Sequence, residues 1–213
     1  MFVVVMGVSG SGKSTIGRLL AERLGCPFYD GDDYHPAANV AKMAAGIPLD
    51  DADRDGWLAE LAALIAVGLA RGEGGVIACS ALKRQYRDVL SVDERRVRFV
   101  YLRGEFDTIW ARLQSREGHF MGANLLQSQF DALEEPRGAI VVDTSLEPEQ
   151  VIDRILEQLM DTQPALGLLG LGVMGRSLAL NFTRHGFPVI GLSLIHISEP
   201  TRRTPISYAV FCL

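Results

Sequence analysis

The segment Gly7-Val8-Ser9-Gly10-Ser11-Gly12-Lys13-Ser14 follows the pattern G-x-x-x-x-G-K-[ST], with Thr15 next in line. Glycines at this spacing let successive backbone N–H groups turn inward around the β- and γ-phosphates of a nucleotide, and a helix beginning at the end of the loop adds its positive dipole end. Lys13 supplies a mobile charge to a transferring phosphate, and the Ser14 hydroxyl is a hard oxygen ligand for Mg²⁺. The chemistry these residues can do is the binding of Mg·ATP. A ligand-free glycine turn would give no reason for Lys-Ser in register. The loop speaks for a nucleotide and leaves the reaction open.

Further residues with chemical capacity follow. Asp30-Gly31-Asp32-Asp33-Tyr34-His35-Pro36 carries carboxylates able to hold hydrated Mg²⁺ or to accept a proton from an attacking hydroxyl. Asp30 and Asp32 stand two apart, and in an extended segment they would face the same way; a solvated acidic turn is the alternative. His35 is either a turn residue or a ligand. In Cys79-Ser80-Ala81-Leu82-Lys83-Arg84 the Ser80 hydroxyl either holds a polar substrate group or caps a helix. Cys79 fits a buried small side chain better than a nucleophile, since phosphoryl transfer needs none. Arg112, Arg116 and His119 lie where a helix breaks into a glycine-containing loop, so the arginines can close over ATP or remain a solvated helix face. Arg54, after Leu49-Asp50-Asp51-Ala52-Asp53, either pairs with neighbouring aspartates or reaches an anionic acceptor.

Elements that would position these groups can be read from hydrophobic period. Apolar runs Phe2–Met6, Val76–Cys79, Val97–Leu102 and Ile140–Val142 alternate with helical patterns Thr15–Leu24, Lys83–Leu90, Phe106–Leu113 and Glu149–Met160, and Pro27-Phe28-Tyr29 supplies a fifth, short strand. That alternation predicts an α/β domain with a five-stranded parallel sheet and helices on both faces. Between Asp30 and Asp55 the pattern breaks around a short helix, Ala37–Ala45, and resumes in a helix over Leu58–Ala70. Insertions at the carboxyl ends of strands are where such folds receive substrate.

Composition narrows the classes. The 213 residues carry a net charge of -5, which gives no global basic field for nucleic acid or an anionic membrane. Cys26, Cys79 and Cys212 lack paired or metal-ligand spacing, which suits a reducing cytoplasm. The N-terminus lacks a basic n-region, and no apolar run reaches the about 18 residues a membrane span needs. The expected partner is a small molecule, with no nucleic acid and no membrane.

Taken together, MGVSGSGKST, FYDGDDYHP, NVAKMAAGIPLDDADRDGWL, ACSALKRQYRD, FVYLRGEFDTIWARL and REGHFMGANLLQSQFDALEEP resemble the gluconate kinase family, relatives of shikimate kinase in the nucleoside-monophosphate-kinase-like group of P-loop NTPase folds. The resemblance spans Met6 to Pro136 in the family's order. It implies ATP and Mg²⁺ as cofactors, transfer to the C6 hydroxyl of gluconate, and often a homodimer. By analogy with shikimate kinase's D-x-D segment, it places Asp30 near Mg²⁺ and Asp32 near the acceptor hydroxyl. Arg54 and Lys83 become the candidates for the substrate carboxylate. The implied catalytic set is Lys13, Asp32 and Arg116; Arg112 joins the loop in holding nucleotide; Asp32, His35, Arg54, Ser80 and Lys83 face the substrate; Ser14 and Asp30 face the metal. Phosphorylation of another sugar acid or polyol is the alternative within the class. A regulatory P-loop NTPase, which would hydrolyse ATP without an acceptor, and a dehydrogenase are the alternatives outside it.

Past Asp161 the period stops, and a strand signal over Ala165–Leu169 leads into Gly170-Leu171-Gly172-Val173-Met174-Gly175, a G-x-G-x-x-G in its proper context. That stretch resembles the opening of 6-phosphogluconate dehydrogenase. From Leu192 the chain resembles the translation of a transposase-type sequencing adapter. The expected organisation is a kinase domain over 1–161, a truncated Rossmann fragment over 162–191 without the ribose-gripping acid, and an adapter-derived tail over 192–213. An intact gene would then join a kinase to a dehydrogenase that consumes its product.

Overall fold

The computed structural model describes residues 1–115, 123–160, 166–169, 189–194 and 208–212. It divides into two compact units, Met1–Glu157 and Gln158–Leu213. In the first, β1 (Phe2–Met6), β2 (Phe28–Asp30), β3 (Gly75–Ala78), β4 (Val97–Arg103) and β5 (Ile140–Asp143) form one sheet in the order β2-β3-β1-β4-β5. Every pairing is parallel, with Val4 opposite Ile77 on one side and Phe99 on the other. β1 is central and buried along its whole length, hence its unbroken apolar run, whereas edge strand β5 alternates buried and exposed residues.

Side chains alternate across β1, so Phe2, Val4 and Met6 face one way. They meet Trp57, Leu58, Leu61, Ile65 and Leu69 of α3 (Asp51–Ala70) and Tyr86 and Leu90 of α4 (Arg84–Leu90) in the main core. Helix α1 (Lys13–Leu24) lies against β1, β2 and β3 and carries the buried residues Ile16 and Leu20. Completing the unit are α2 (Ala37–Ala44), α5 (Phe106–Gln114), α6 (Ala123–Ala132) and α7 (Pro148–Met160).

Helix α3 begins seven residues before the expected Leu58. Asp50 accepts a hydrogen bond from the Asp53 N–H at 2.8 Å while Asp53 accepts from the Asp50 N–H at 3.1 Å, a capping box that satisfies two helix-end donors. Asp51 and Asp53 in the first turn also suit the positive end of the helix dipole. What reads as a broken acidic segment is therefore a helix start, and Arg54 is a helical residue. Helix α6 carries no counterpart among the expected elements.

In the second unit β6 (Leu166–Leu169) pairs parallel with β7 (Val189–Leu194), and β7 pairs antiparallel with β8 (Tyr208–Cys212). β7 runs through the junction expected at 191/192, and β8 falls within the expected tail. The Gly170–Gly175 motif lies outside the described residues, as do Arg116 and His119. Among the described residues no helix is long and apolar enough to cross a membrane.

Candidate active site

All the loops that carry candidate residues leave the carboxyl edge of the sheet: the glycine loop after β1, the acidic turn after β2, and Cys79–Lys83 after β3. The glycine loop owes its shape to Gly7, Gly10 and Gly12, at φ 148°, 79° and 94°. Other residues avoid that region, and at Gly10 a Cβ would also come within 2.7 Å of Leu113. Lys13 Nζ donates to the Val8 carbonyl at 3.0 Å, the Gly7 N–H to the Ser80 carbonyl at 3.3 Å, and the Ser9 N–H to Oε1 of Gln129 at 2.7 Å. Ser11 Oγ is buried without a hydrogen-bond partner among the described residues, beneath Gly7, where a Cβ would lie 2.8 Å from it. Thr15 sits exposed on the first turn of α1.

Ser14 Oγ donates to Asp30 Oδ2 at 2.8 Å, joining the loop to the end of β2. Two hard oxygen groups from separate elements fit Mg²⁺, which is commonly held through one or two carboxylates together with substrate phosphates. Asp30 and Asp32 do not share an extended segment. The chain enters a single 3₁₀ turn at Gly31–Tyr34, where Asp30 Oδ1 accepts from the Asp32 N–H at 3.3 Å, so the second carboxylate leaves in another direction. The side chain of Asp32 is 80% exposed and lies 4.0 Å from His35 Nε2.

His35 is stacked on Trp57, ring centroids 4.2 Å apart, and Trp57 Nε1–H donates to the Gly31 carbonyl at 2.7 Å. Helix α3 thus holds the acidic turn from below. Burial lowers the His35 pKa, with Arg54 adding to the shift and Asp32 opposing it. The ring is a packed support with one nitrogen toward Asp32.

Arg54 and Lys83 meet around one ring. The guanidinium of Arg54 stands 5.6 Å from the Tyr86 centroid and Lys83 Nζ 5.7 Å from it. Arg54 donates to the carbonyls of Leu49 and Asp50 and makes no ion pair among the described residues, so the pairing with neighbouring aspartates is not what is found. Lys83 is committed to Asp51, at 2.7 and 2.9 Å. Asp51 also accepts from Gln85 at 2.9 Å and from the Tyr86 hydroxyl, and its pKa falls to about 2, first through Lys83 and then Tyr86. Asp51 and Tyr86 escaped the sequence reading.

Ser80 does not cap α4. That helix starts at Arg84, whose N–H donates to Glu134 Oε2 at 2.6 Å, and Ser80 lies upstream in a loop where Ala81 takes φ 43°. The buried Arg87 guanidinium clamps that loop through the carbonyls of Ala81 and Leu82, at 3.0 and 2.8 Å. The Cys79 thiol, 1% exposed, is pushed up to about 12 by burial and stays protonated and inert. It also feels the charges of Lys13, Asp32 and Arg54. Arg112 extends from α5 to the Thr144 carbonyl at 2.5 Å, beside the loop after β5.

A phosphate loop on a parallel sheet, faced by carboxylates and cations at the same edge, defines a P-loop phosphotransferase with a small-molecule acceptor. The shikimate kinase family model matches residues 9–160, and the model for the NAD binding domain of 6-phosphogluconate dehydrogenase matches residues 165–199. The thermosensitive gluconokinase of Escherichia coli (strain K12) is 51% identical over 134 residues, covering 63% of this chain and 72% of that protein. The gluconokinase of Gluconobacter oxydans (strain 621H) is 46% identical over 158 residues, covering 73% and 89%. A crystal structure of a gluconokinase from Sinorhizobium meliloti 1021 superposes with a TM-score of 0.67 at 40% identity, covering 84% and 95%. The chain belongs to the gluconokinase family, within the shikimate-kinase-like P-loop kinases.

Proposed function

We infer that the protein transfers the γ-phosphoryl group of ATP to the C6 hydroxyl of D-gluconate, giving 6-phospho-D-gluconate and ADP. The likeness to gluconokinases across 89% of the Gluconobacter oxydans relative carries this reading. The charges of Lys13, Asp32 and Arg54 all reach the Cys79 thiol, which supports a reading with donor charge, proton acceptor and acid-binding cation in one site.

In this reading the loop from Gly7 to Ser14, with Thr15, cradles the phosphates. Ser14 and Asp30 hold Mg²⁺, which when bound neutralises charge on the β- and γ-oxygens. Lys13 moves from the Val8 carbonyl to the transferring phosphate. Asp32, exposed and backed by His35, accepts the proton of the attacking hydroxyl. Arg54 takes the gluconate carboxylate, with Lys83 and Ser80 at the margin of the acceptor pocket. Arg112 and Arg116 serve the nucleotide, Arg116 as a transition-state cation. The reading includes a homodimer in the cytoplasm, and a kinase domain over 1–161 followed by a segment akin to a dehydrogenase's NAD-binding start.

A coupled ATP assay across sugar acids and neutral polyols tests it. Gluconate should exceed every other acceptor in kcat/KM by about 10-fold or more, the scale of one lost acid contact. A neutral polyol turning over as well as gluconate would overturn the assignment of the acceptor.

A further inference from the structure

We propose that Gln129, on α6, is a positioning residue for the phosphate loop, acting on Lys13 through the Val8–Ser9 peptide. The Ser9 N–H donates to Gln129 Oε1 at 2.7 Å across 120 residues of sequence, and Lys13 Nζ donates to the Val8 carbonyl at 3.0 Å. These are the two polar groups of a single peptide unit. In a planar trans peptide the C=O and N–H point in opposite directions. Gln129 and the Lys13 ammonium therefore grip the unit from opposite sides, and Gln129 stands behind the loop with respect to Lys13. Its hold on the N–H, together with the Ser11 N–H that donates to the same Val8 carbonyl at 3.2 Å, fixes which way that carbonyl faces, and so helps set where Lys13 waits. Because the bond needs an acceptor, the side-chain amide must turn its oxygen to Ser9.

The support behind Gln129 is firm enough for such a role. Leu126 of α6 is fully buried in a cluster with Val8, Leu82, Ile109 and Leu113, and Phe130 packs on it with its ring 5.5 Å from Phe106. Just past the helix, the Glu134 N–H donates to the Leu82 carbonyl at 3.0 Å and Glu134 Oε2 accepts from Arg84 at 2.6 Å. The helix is thereby tied to the loop after β3 at one end and to the phosphate loop at Gln129. Among the described residues no other side chain from outside the loop bonds one of its N–H groups. Without the Gln129 acceptor the Val8–Ser9 peptide keeps only its carbonyl-side holds, from Lys13 and from the Ser11 N–H at 3.2 Å, so it can tilt about them and displace the resting point of the lysine.

The proposal rests on reading Lys13 as the γ-phosphate contact, and its signature is a selective loss of the third phosphate. Gln129→Met keeps the length and packing of the side chain but removes the acceptor; Gln129→Glu retains an acceptor. Calorimetric titration with a non-hydrolysable ATP analogue and with ADP, in Mg²⁺, reads the effect without turnover. For Gln129→Met the analogue should weaken by about 10-fold while ADP stays within about 2-fold, and Gln129→Glu should restore at least half of that loss on a logarithmic scale. Unchanged affinities in Gln129→Met, or equal weakening of both nucleotides, would overturn the proposal, as would a Gln129→Glu variant no better than the Met variant. Lys13→Ala in the same titration separates the two ideas. If it fails to lower the analogue-to-ADP preference, the reading of Lys13 falls; if it lowers that preference and Gln129→Met does not, only the role of Gln129 falls. Thermal unfolding of each variant checks that the fold is intact.

Discussion

The two halves of the site are built by different means. On the donor side a local run of glycines shapes backbone N–H groups into a cradle, and the side chains that matter, Lys13 and Ser14, stand within it. On the acceptor side almost nothing is local. The acidic turn is held by Trp57 from α3, Arg54 is aimed by carbonyls one turn back, and Lys83 is fixed by Asp51 across 32 residues of sequence. A backbone-built site concentrates its sensitivity in its own residues and a rare outside hold such as Gln129, whereas a side-chain-built site spreads its sensitivity over many supports far from the substrate.

The largest effect is expected on the donor side. Lys13→Ala should lower kcat by about 100-fold or more, the scale seen when a preorganised donor to a transition state is removed, with Tm little changed because Lys13 belongs to neither of the two hydrophobic clusters described above. Retention of more than about a tenth of the turnover would remove Lys13 from phosphoryl transfer. Next comes Asp32→Asn, for which stopped-time assays at saturating ATP should give a kcat loss of about 100-fold with nucleotide affinity within about 3-fold. If affinity collapsed and turnover survived, Asp32 would belong with Ser14 and Asp30 at the metal, and the division between the halves would have to be redrawn.

That division also governs what the sequence could disclose. The glycine loop was legible because its spacing dictates φ values that only those residues take comfortably, and the strands were legible because β1 and β3 are buried on both faces. The start of α3 was missed although its signal, an aspartate followed three residues later by another, stood in plain view at Asp50 and Asp53. Acidic density hid it. The direction of Asp32 was misjudged because a 3₁₀ turn at Gly31 replaces the extended backbone on which the two-residue period depends. Gln129, Tyr86 and Asp51 carry no local signal at all. Their meaning comes from partners 120, 35 and 32 residues away, which only the tertiary fold brings together.

Within the acceptor half, Arg54 and Lys83 share the Tyr86 ring yet differ in commitment. Arg54 makes no ion pair among the described residues, so a substrate carboxylate need not displace an acid from it. Arg54→Leu should raise KM for gluconate by about 10-fold while KM for ATP stays within about 2-fold, the pattern of a contact made with the acceptor alone. An unchanged gluconate KM would transfer the carboxylate to Lys83 and imply that Asp51 yields on binding.

The smallest effect concerns Asp51 itself, and it sharpens the contrast because it tests a support that touches neither reactant. Its pKa falls from 3.8 to about 2, chiefly through Lys83 and Tyr86, so the folded protein binds a proton there less readily than the unfolded chain does. A carboxyl depressed in this sense adds stability that is fully present above about pH 4 and is lost as the pH falls through about 2. Asp51→Asn deletes that contribution. Urea midpoints of the two proteins should therefore differ at pH 5 to 7 and draw together as the pH drops from about 4 toward 2. The difference should be modest, since the pair is solvent-exposed and screened, and added salt should shrink it. Midpoints that stay equal at neutral pH would show that the Asp51 cluster orders the acceptor side without stabilising it. In that case Asp51→Asn should still disturb gluconate KM through Tyr86 and Lys83, and the two measurements together distinguish a stabilising link from a purely positional one.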